Sequence, residues 1–226
     1  MNLVEIKDFG FSYPESSRKV LEHVNLNIKE GTLNVIMGRS GCGKSTLLEM
    51  MGLILKPDNL SQYELSSATL SMDLAPLILS NKQKTLAEIR SKNLGFMLQN
   101  GGLLPFLSVW QNILLPCQTN GILADESWLH HLCEKLNINH LMTKYPKQLS
   151  IGERQRVAFV RSIAHKPLLL LADEPTSALD EESIRCLQAY LNEIKKDKII
   201  ILISHNSDFI SISDEIVDLD KLDMDV

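Results

Sequence analysis

Several short segments of this chain carry residue types suited to chemistry. Gly38-Arg39-Ser40-Gly41-Cys42-Gly43-Lys44-Ser45-Thr46 fits G-x-x-x-x-G-K-[ST] without mismatch. Glycines at this spacing let backbone N–H groups curl around phosphate oxygens. Lys44 brings a point charge to the β and γ phosphates, and the Ser45 hydroxyl can ligate Mg²⁺. Asp173 and Glu174 follow an apolar run. Asp173 is the candidate partner of Mg²⁺ through water, and Glu174 the candidate base that orients and deprotonates an attacking water. The plain alternative for this pair is a solvated acidic turn before Pro175. His205 ends a further apolar run; a lone histidine is usually structural, but this position suits a contact to the γ-phosphate or the attacking water. Gln99 ends another, and its amide could reach the metal or the water.

A separate segment, Leu149-Ser150-Ile151-Gly152-Glu153-Arg154-Gln155, reads as a helix start. Ser150 can cap the N-terminus while Glu153 reaches back to it, the Ser-x-x-Glu capping box. A capped helix end with a small, backbone-exposing Gly152 also offers N–H groups and a positive dipole end to an anion.

The elements that must position these residues follow from the apolar runs. Leu33 to Met37 is a short apolar run, Leu168 to Ala172 reads as a strand buried on both faces, as in a parallel sheet, Ile199 to Ile203 repeats that arrangement, and Leu94 to Leu98 is a weaker fourth case. Each leads into one of the polar groups above. In open α/β sheets ligands bind outside the carboxyl ends of the strands, so four segments converge on one edge. A helix should start at the phosphate loop with Leu47, Leu48 and Met51 inward, and Pro167 should separate the preceding helix from its strand. From Gly101 to about Gln148 the pattern changes. Trp128, Leu129, Leu132, Cys133 and Leu136 recur at helical spacing and predict a mostly helical lobe. Phe9, Phe11 and Tyr13 alternate at period two, as on the packed face of an edge strand. Residues 65–84 fit no clear pattern, and Pro76 argues against a continuous central strand there.

Composition sets the outer bounds. The 226 residues, 44% hydrophobic, suffice for one large domain or a core with a subsidiary lobe. No apolar run approaches the roughly 18 to 20 residues that cross a bilayer. The first residues lack the basic and apolar regions of a signal peptide, so the expectation is a cytosolic chain. The four cysteines, Cys42, Cys117, Cys133 and Cys186, show no metal or disulfide spacing. A net charge of −5 without a basic, aromatic-interleaved stripe argues against a nucleic-acid partner.

In order and interval, the phosphate loop, Gln99, the Leu149–Arg156 segment, the strand ending in Asp173-Glu174, Ser177-Ala178-Leu179-Asp180 and His205 resemble an ABC transporter nucleotide-binding subunit over nearly the whole chain. The resemblance implies an α/β fold: a P-loop NTPase core with a mainly parallel sheet (residues 1–100 and 165–226), an N-terminal antiparallel β subdomain and an inserted helical subdomain (about 101–164), all in one ABC ATPase domain. It implies ATP and Mg²⁺ as ligands, with residues 38–46 around the phosphates and Tyr13 stacked on adenine. Two copies would pair head to tail, with Ser150 and Gly152 contacting the γ-phosphate held by the other copy and Asp180 linking the two sites. The helical lobe would meet a membrane-spanning subunit on the cytoplasmic face of the inner membrane, through the region of Leu103 to Pro116. Gly152 to Arg156 together with Ala172 to Thr176 look like the subfamily that powers lipoprotein release and macrolide efflux. Two departures stand out: Ile151 where the family has glycine, and no glycine between Gly52 and Gly95, where the family often has a glycine-containing hairpin. A non-transport ABC ATPase, for example in iron–sulfur assembly, is the alternative; the chain shows neither a long coiled-coil insertion nor a basic surface. A nucleotide-binding regulator without turnover would leave Glu174 and His205 idle.

Overall fold

Alternation inside the apolar strands builds the core. In the computed structural model, residues 3–13, 19–67 and 70–222 are described; Met1 and Asn2, within the start read for a targeting segment, lie outside them, as does the end of the chain. The strands are β1 (Leu3–Ser12), β2 (Lys19–Lys29), β3 (Leu33–Met37), β4 (Gln62–Ser66), β5 (Ser71–Asp73), β6 (Leu94–Met97), β7 (Leu169–Asp173), β8 (Ile199–Ile203) and β9 (Glu215–Asp218). The α-helices are α1 (Lys44–Met51), α2 (Ala75–Leu79), α3 (Gln83–Asn93), α4 (Val109–Thr119), α5 (Glu126–Lys135), α6 (Ile151–Ile163), α7 (Glu181–Ile194), α8 (Ser207–Ile212) and α9 (Leu219–Leu222).

A parallel sheet in the order β6-β7-β8-β3-β9 holds the centre, and an antiparallel sheet in the order β2-β1-β4-β5 lies apart from it. Leu169, Leu171, Ile199, Ile201 and Ile203 join a core with α1 and the antiparallel sheet. Their alternates Leu170, Ala172, Ile200 and Leu202 join a second core with α4, α5, α6 and α7. Side chains of a strand point to opposite faces at every step, so β7 and β8 must be apolar throughout to serve both cores.

The helical lobe forms as the periodicity predicts. Leu129, Leu132, Cys133 and Leu136 are buried, and α6 packs on both α4 and β6. Leu47, Leu48 and Met51 of α1 are fully buried. One expectation is refined. Strand β1 is interior over residues 3–7, where it pairs with both β2 and β4; beyond Lys7 its ladder partner is β2, with a single bridge from Gly10 to Asn59, and Phe9 and Phe11 are buried there. Alternation alone cannot distinguish an edge from an interior strand, because the pairing partner is remote in sequence. The described part of residues 65–84 forms the end of β4, the short β5, α2 and the start of α3, and Pro76 lies in no strand, as expected: it sits in the first turn of α2, where the missing N–H costs nothing. The β4–β5 hairpin forms without glycine.

Close packing at Gly95 ties the lobe to the sheet. A Cβ there would overlap the Ser162 carbonyl oxygen of α6 and come within 2.9 Å of Pro167 Cγ. These obstacles are backbone and a ring, and neither can swing aside. Gly95→Ala is therefore expected to destabilise the protein by about 1–3 kcal/mol, the usual range for overpacking. A lower urea midpoint at unchanged m value is the measurement.

Candidate functional site

The phosphate loop connects β3 to α1 and owes its shape to three glycines. Gly38, Gly41 and Gly43 have φ of 148°, 78° and 99°, a region that side chains disfavour. A Cβ on Gly43 would also meet Leu21 at 2.9 Å. Within the loop the Cys42 N–H donates to the Arg39 carbonyl. The Lys44 side chain is largely buried and curls back over the loop, its Nζ donating to the Gly38 and Arg39 carbonyls at 2.8 Å each. An ammonium has three donors, so two hold the loop and one remains. The first turn of α1 adds N–H groups without intrahelical partners and the positive end of the helix dipole.

Around this loop lies a cleft of about 560 Å³, within the usual size range of small-molecule sites. Ser40, Gly41, Gly43, Lys44, Ser45 and Thr46 line it from the loop. Gln99, Asp173, Glu174 and His205 line it from the ends of β6, β7 and β8, as the strand reading predicts. Tyr13 closes one side. It lies just beyond β1, its ring is edge-on to Phe11 with centroids 5.0 Å apart, and its hydroxyl is 3.2 Å from Thr46 Oγ1 on α1. Gly38, Arg39 and Cys42 shape the loop from behind without lining the cleft.

Glu174 and His205 meet across the strand ends, His205 Nε2 lying 3.6 Å from Glu174 Oε1. The carboxylate is largely shielded while the imidazole is open to solvent. Burial pushes the Glu174 carboxyl above its ordinary range; the neighbouring His205 opposes this and Asp173 adds to it. Its backbone is unusual too, with φ of 48° and its N–H donating to Ile203 O at 3.0 Å. Glu49, on α1, is also raised, first by burial and then by the charge of Asp173.

The Leu149–Arg156 segment lies elsewhere. Ser150 and Glu153 form the capping box at the start of α6, with Glu153 N donating to Ser150 Oγ at 3.1 Å and Ser150 N to Glu153 Oε2 at 2.6 Å. The bond from the Ser150 N–H holds the Glu153 carboxyl below its ordinary value. The capping box involves the N–H groups of Ser150 and Glu153 but not those of Ile151 and Gly152. Ile151 is 61% exposed. Ser150, Gly152 and Asp180 do not line the cleft of their own chain. Asp180 caps α7 by accepting from Ser183 N at 2.8 Å, which lowers its pKa.

Two contacts were not legible in the sequence. Gln155, 2% exposed, donates from Nε2 to Ser177 Oγ at 2.8 Å and accepts the Ala178 N–H at Oε1, 3.1 Å away. It thereby ties α6 to the loop that follows Glu174. Asn112 on α4 likewise accepts the Leu104 N–H and donates to the Leu104, Leu107 and Ser108 carbonyls, fixing the loop that exposes Phe106. A buried amide inside a helix carries no sequence signal of its partners.

A parallel sheet with a phosphate loop at its carboxyl edge defines a P-loop nucleoside triphosphatase. Residues 21–177 match the family model described as ABC transporter. The chain belongs to that family, as the ATP-binding and ATP-hydrolysing subunit of a transporter. It is 36% identical over 88% of its length to the uncharacterized ABC transporter ATP-binding protein YvrO of Bacillus subtilis, covering 84% of that protein. It is 32% identical to the putative hemin import ATP-binding protein HrtA of Staphylococcus saprophyticus, with 96% of each covered. Among solved structures, a dimeric ATP-binding cassette in a post-hydrolysis state with ADP and phosphate superposes with a TM-score of 0.78 at 29% identity, over 95% of this chain and 93% of that one.

Gly152 has a steric role independent of any ligand, since a Cβ there would lie 2.6 Å from the Ala178 carbonyl oxygen. Gly152→Ala must push α6 away from the loop that Gln155 holds. The expected result is a loss of about 1–3 kcal/mol, read as a lower urea midpoint of the nucleotide-free protein.

Proposed function

We propose that this chain is the motor subunit of a membrane transporter, working as a pair of copies closed by ATP. The observation that carries the reading is a division of the site. The phosphate loop, Gln99, Asp173, Glu174 and His205 share one cleft, while Ser150, Gly152 and Asp180 stand outside it. Free N–H groups at the start of α6, beside an exposed Ile151, suit a phosphate held by the second copy. In that pairing Asp180 lies between the two sites.

The cleft suits ATP with Mg²⁺. Lys44 keeps a donor for the β and γ phosphates while the loop carbonyls hold its other two. Among the described residues no group of three or more His, Cys, Asp or Glu forms a metal cage. Mg²⁺ keeps several waters and takes few protein ligands alongside phosphates, and the Ser45 hydroxyl and Asp173 carboxylate that line the cleft are oxygen donors of the kind it prefers. Ser45 would bind it directly, Asp173 would act through water, and the Gln99 amide would reach the metal or the attacking water. When bound, Mg²⁺ would neutralise charge developing on the phosphates. Tyr13 would stack on adenine. Glu174 accepts a proton from the attacking water, and His205 orients that water or the γ-phosphate. Binding and positioning account for the remainder of the catalysis, without a covalent intermediate.

The helical lobe would dock on the membrane subunit through the loop around Phe106, which is 71% exposed on a backbone fixed by Asn112. No described helix is long and apolar enough to cross a membrane; the chain would work at the cytoplasmic face of the inner membrane. Motif resemblance supports export of the lipoprotein-release or macrolide-efflux type, whereas the HrtA relative's name specifies hemin import. ATP-driven accumulation of a macrolide or hemin in inside-out vesicles would support export, and ATP-driven depletion of preloaded vesicles import. Affinity purification that recovers no multi-span protein under several mild detergents would favour the non-transport ATPase.

Glu174→Gln should keep ATP binding, slow hydrolysis by roughly 100-fold or more and yield an ATP-dependent dimer by light scattering. Unchanged steady-state turnover would remove Glu174 from the proposed role. The pH profile provides a second test. A base must be deprotonated, so activity falls as pH drops through the raised Glu174 pKa, and the acid limb lies above an ordinary carboxylate's. Replacing His205 with Asn removes a lowering influence and should move the residual activity's acid limb to higher pH.

A further inference from the structure

The loop that cradles phosphate is fastened from the far end of the chain. Strand β9 pairs in parallel with β3, in a register that sets Met37 opposite Asp218. Two residues beyond each partner, Arg39 meets Asp220. The Asp220 carboxylate accepts the Arg39 backbone N–H at Oδ2, 2.8 Å away, and the Arg39 Nε–H at Oδ1, 3.0 Å away. Asp220 is itself fixed: its N–H donates to Asp218 Oδ1, the preceding Leu219 is fully buried, and a Cβ on Gly38 would lie 3.4 Å from Leu219 Cβ. The Asp220 side chain is 23% exposed, against 81% for that of Arg39. The exposure of the pair thus lies mainly on the arginine side. A lone surface ion pair of this kind contributes little, whereas a charge-assisted bond to a backbone N–H fixes chain geometry.

We propose that Asp220 is a positioning residue for ATP binding, acting through Arg39 and Lys44. The path is short. Asp220 holds the amide on the N side of Arg39, and the carbonyls of Gly38 and Arg39 hold the Lys44 ammonium. The Gly38 carbonyl and the Arg39 N–H belong to the same peptide unit, so fixing one end of that plane fixes the acceptor at its other end. Glycine-rich backbone loses much conformational freedom on ordering, and a loop ordered beforehand does not pay that cost when nucleotide binds. Asp220 thus sets where the remaining Lys44 donor stands relative to the phosphates without touching them. Its negative charge near a phosphate site is offset by Arg39 and Lys44, and the same contacts hold its carboxyl well below the usual range.

This inference rests on the phosphate-loop reading of Lys44, so the closing experiment separates the two. The 226-residue chain would be titrated with a fluorescent ATP analogue and Mg²⁺ as the parent, Asp220→Ala, Asp220→Asn and Lys44→Ala, with thermal unfolding of each nucleotide-free protein. Asp220→Ala should weaken binding by about tenfold, as expected for loss of a charge-assisted bond of about 1.4 kcal/mol. Asp220→Asn keeps an acceptor for the Arg39 N–H and should recover most of that loss, at an unfolding midpoint close to the parent. Binding by Asp220→Ala within twofold of the parent overturns the inference. So does a loss in Asp220→Asn as large as in Asp220→Ala, because the backbone acceptor then has no special part. Parent-like binding by Lys44→Ala would instead overturn the phosphate-loop reading itself.

Discussion

Parallel pairing within one sheet is the constraint from which the site follows. Hydrogen bonds fix Met97 opposite Ala172, Asp173 opposite Ile203, and Ile36 opposite both Ile203 and Val217. Strands so aligned end at nearly one level, and whatever follows them emerges side by side. Glu174 and His205, 31 residues apart by number, meet because each lies just past that level. A slip of one residue in β7 would exchange its two apolar faces and turn both cores inside out, so packing on both sides locks the register. The chemistry-bearing edge is thus held in place by side chains that take no part in the chemistry.

The start of α6 shows how one feature serves two ends. Ser150 and Glu153 satisfy backbone donors as any well-capped helix does. Gly152 and Gln155 then dock that helix on the loop carrying Ser177 and Ala178. The structural reading and the ligand-binding reading of this segment do not compete. A helix end must be rigid before it can present N–H groups to a phosphate, and the buried Gln155 amide supplies rigidity.

What could be read from the sequence follows the range of the interactions. The phosphate loop, the strands before it and before Glu174 and His205, and the cap at Ser150 each depend on neighbours within a few residues, and all were legible. The helical lobe was legible from periodicity. The pairing of residues 3–7 with β4 was not, because β4 comes some 50 residues later and alternation looks the same with one partner as with two. Residues 65–84 were opaque because β5 is only three residues long and its hairpin turns without glycine. Asp220 was invisible for a related reason. It lies in an acidic stretch that resembles a solvated tail, and only the β3–β9 register reveals its partner.

The backbone of Glu174 carries a further meaning. A φ of 48° is a conformation that glycine adopts freely and a glutamate adopts at some cost, roughly 1 kcal/mol or more. If folding stability alone shaped this position, glycine would be favoured there. A carboxylate persists at a place where the main chain penalises any side chain, and burial lifts its proton affinity further. The protein therefore tolerates local instability at the residue proposed as its base, and stability-driven redesign of this chain would tend to replace it along with the other non-glycine residues held at positive φ.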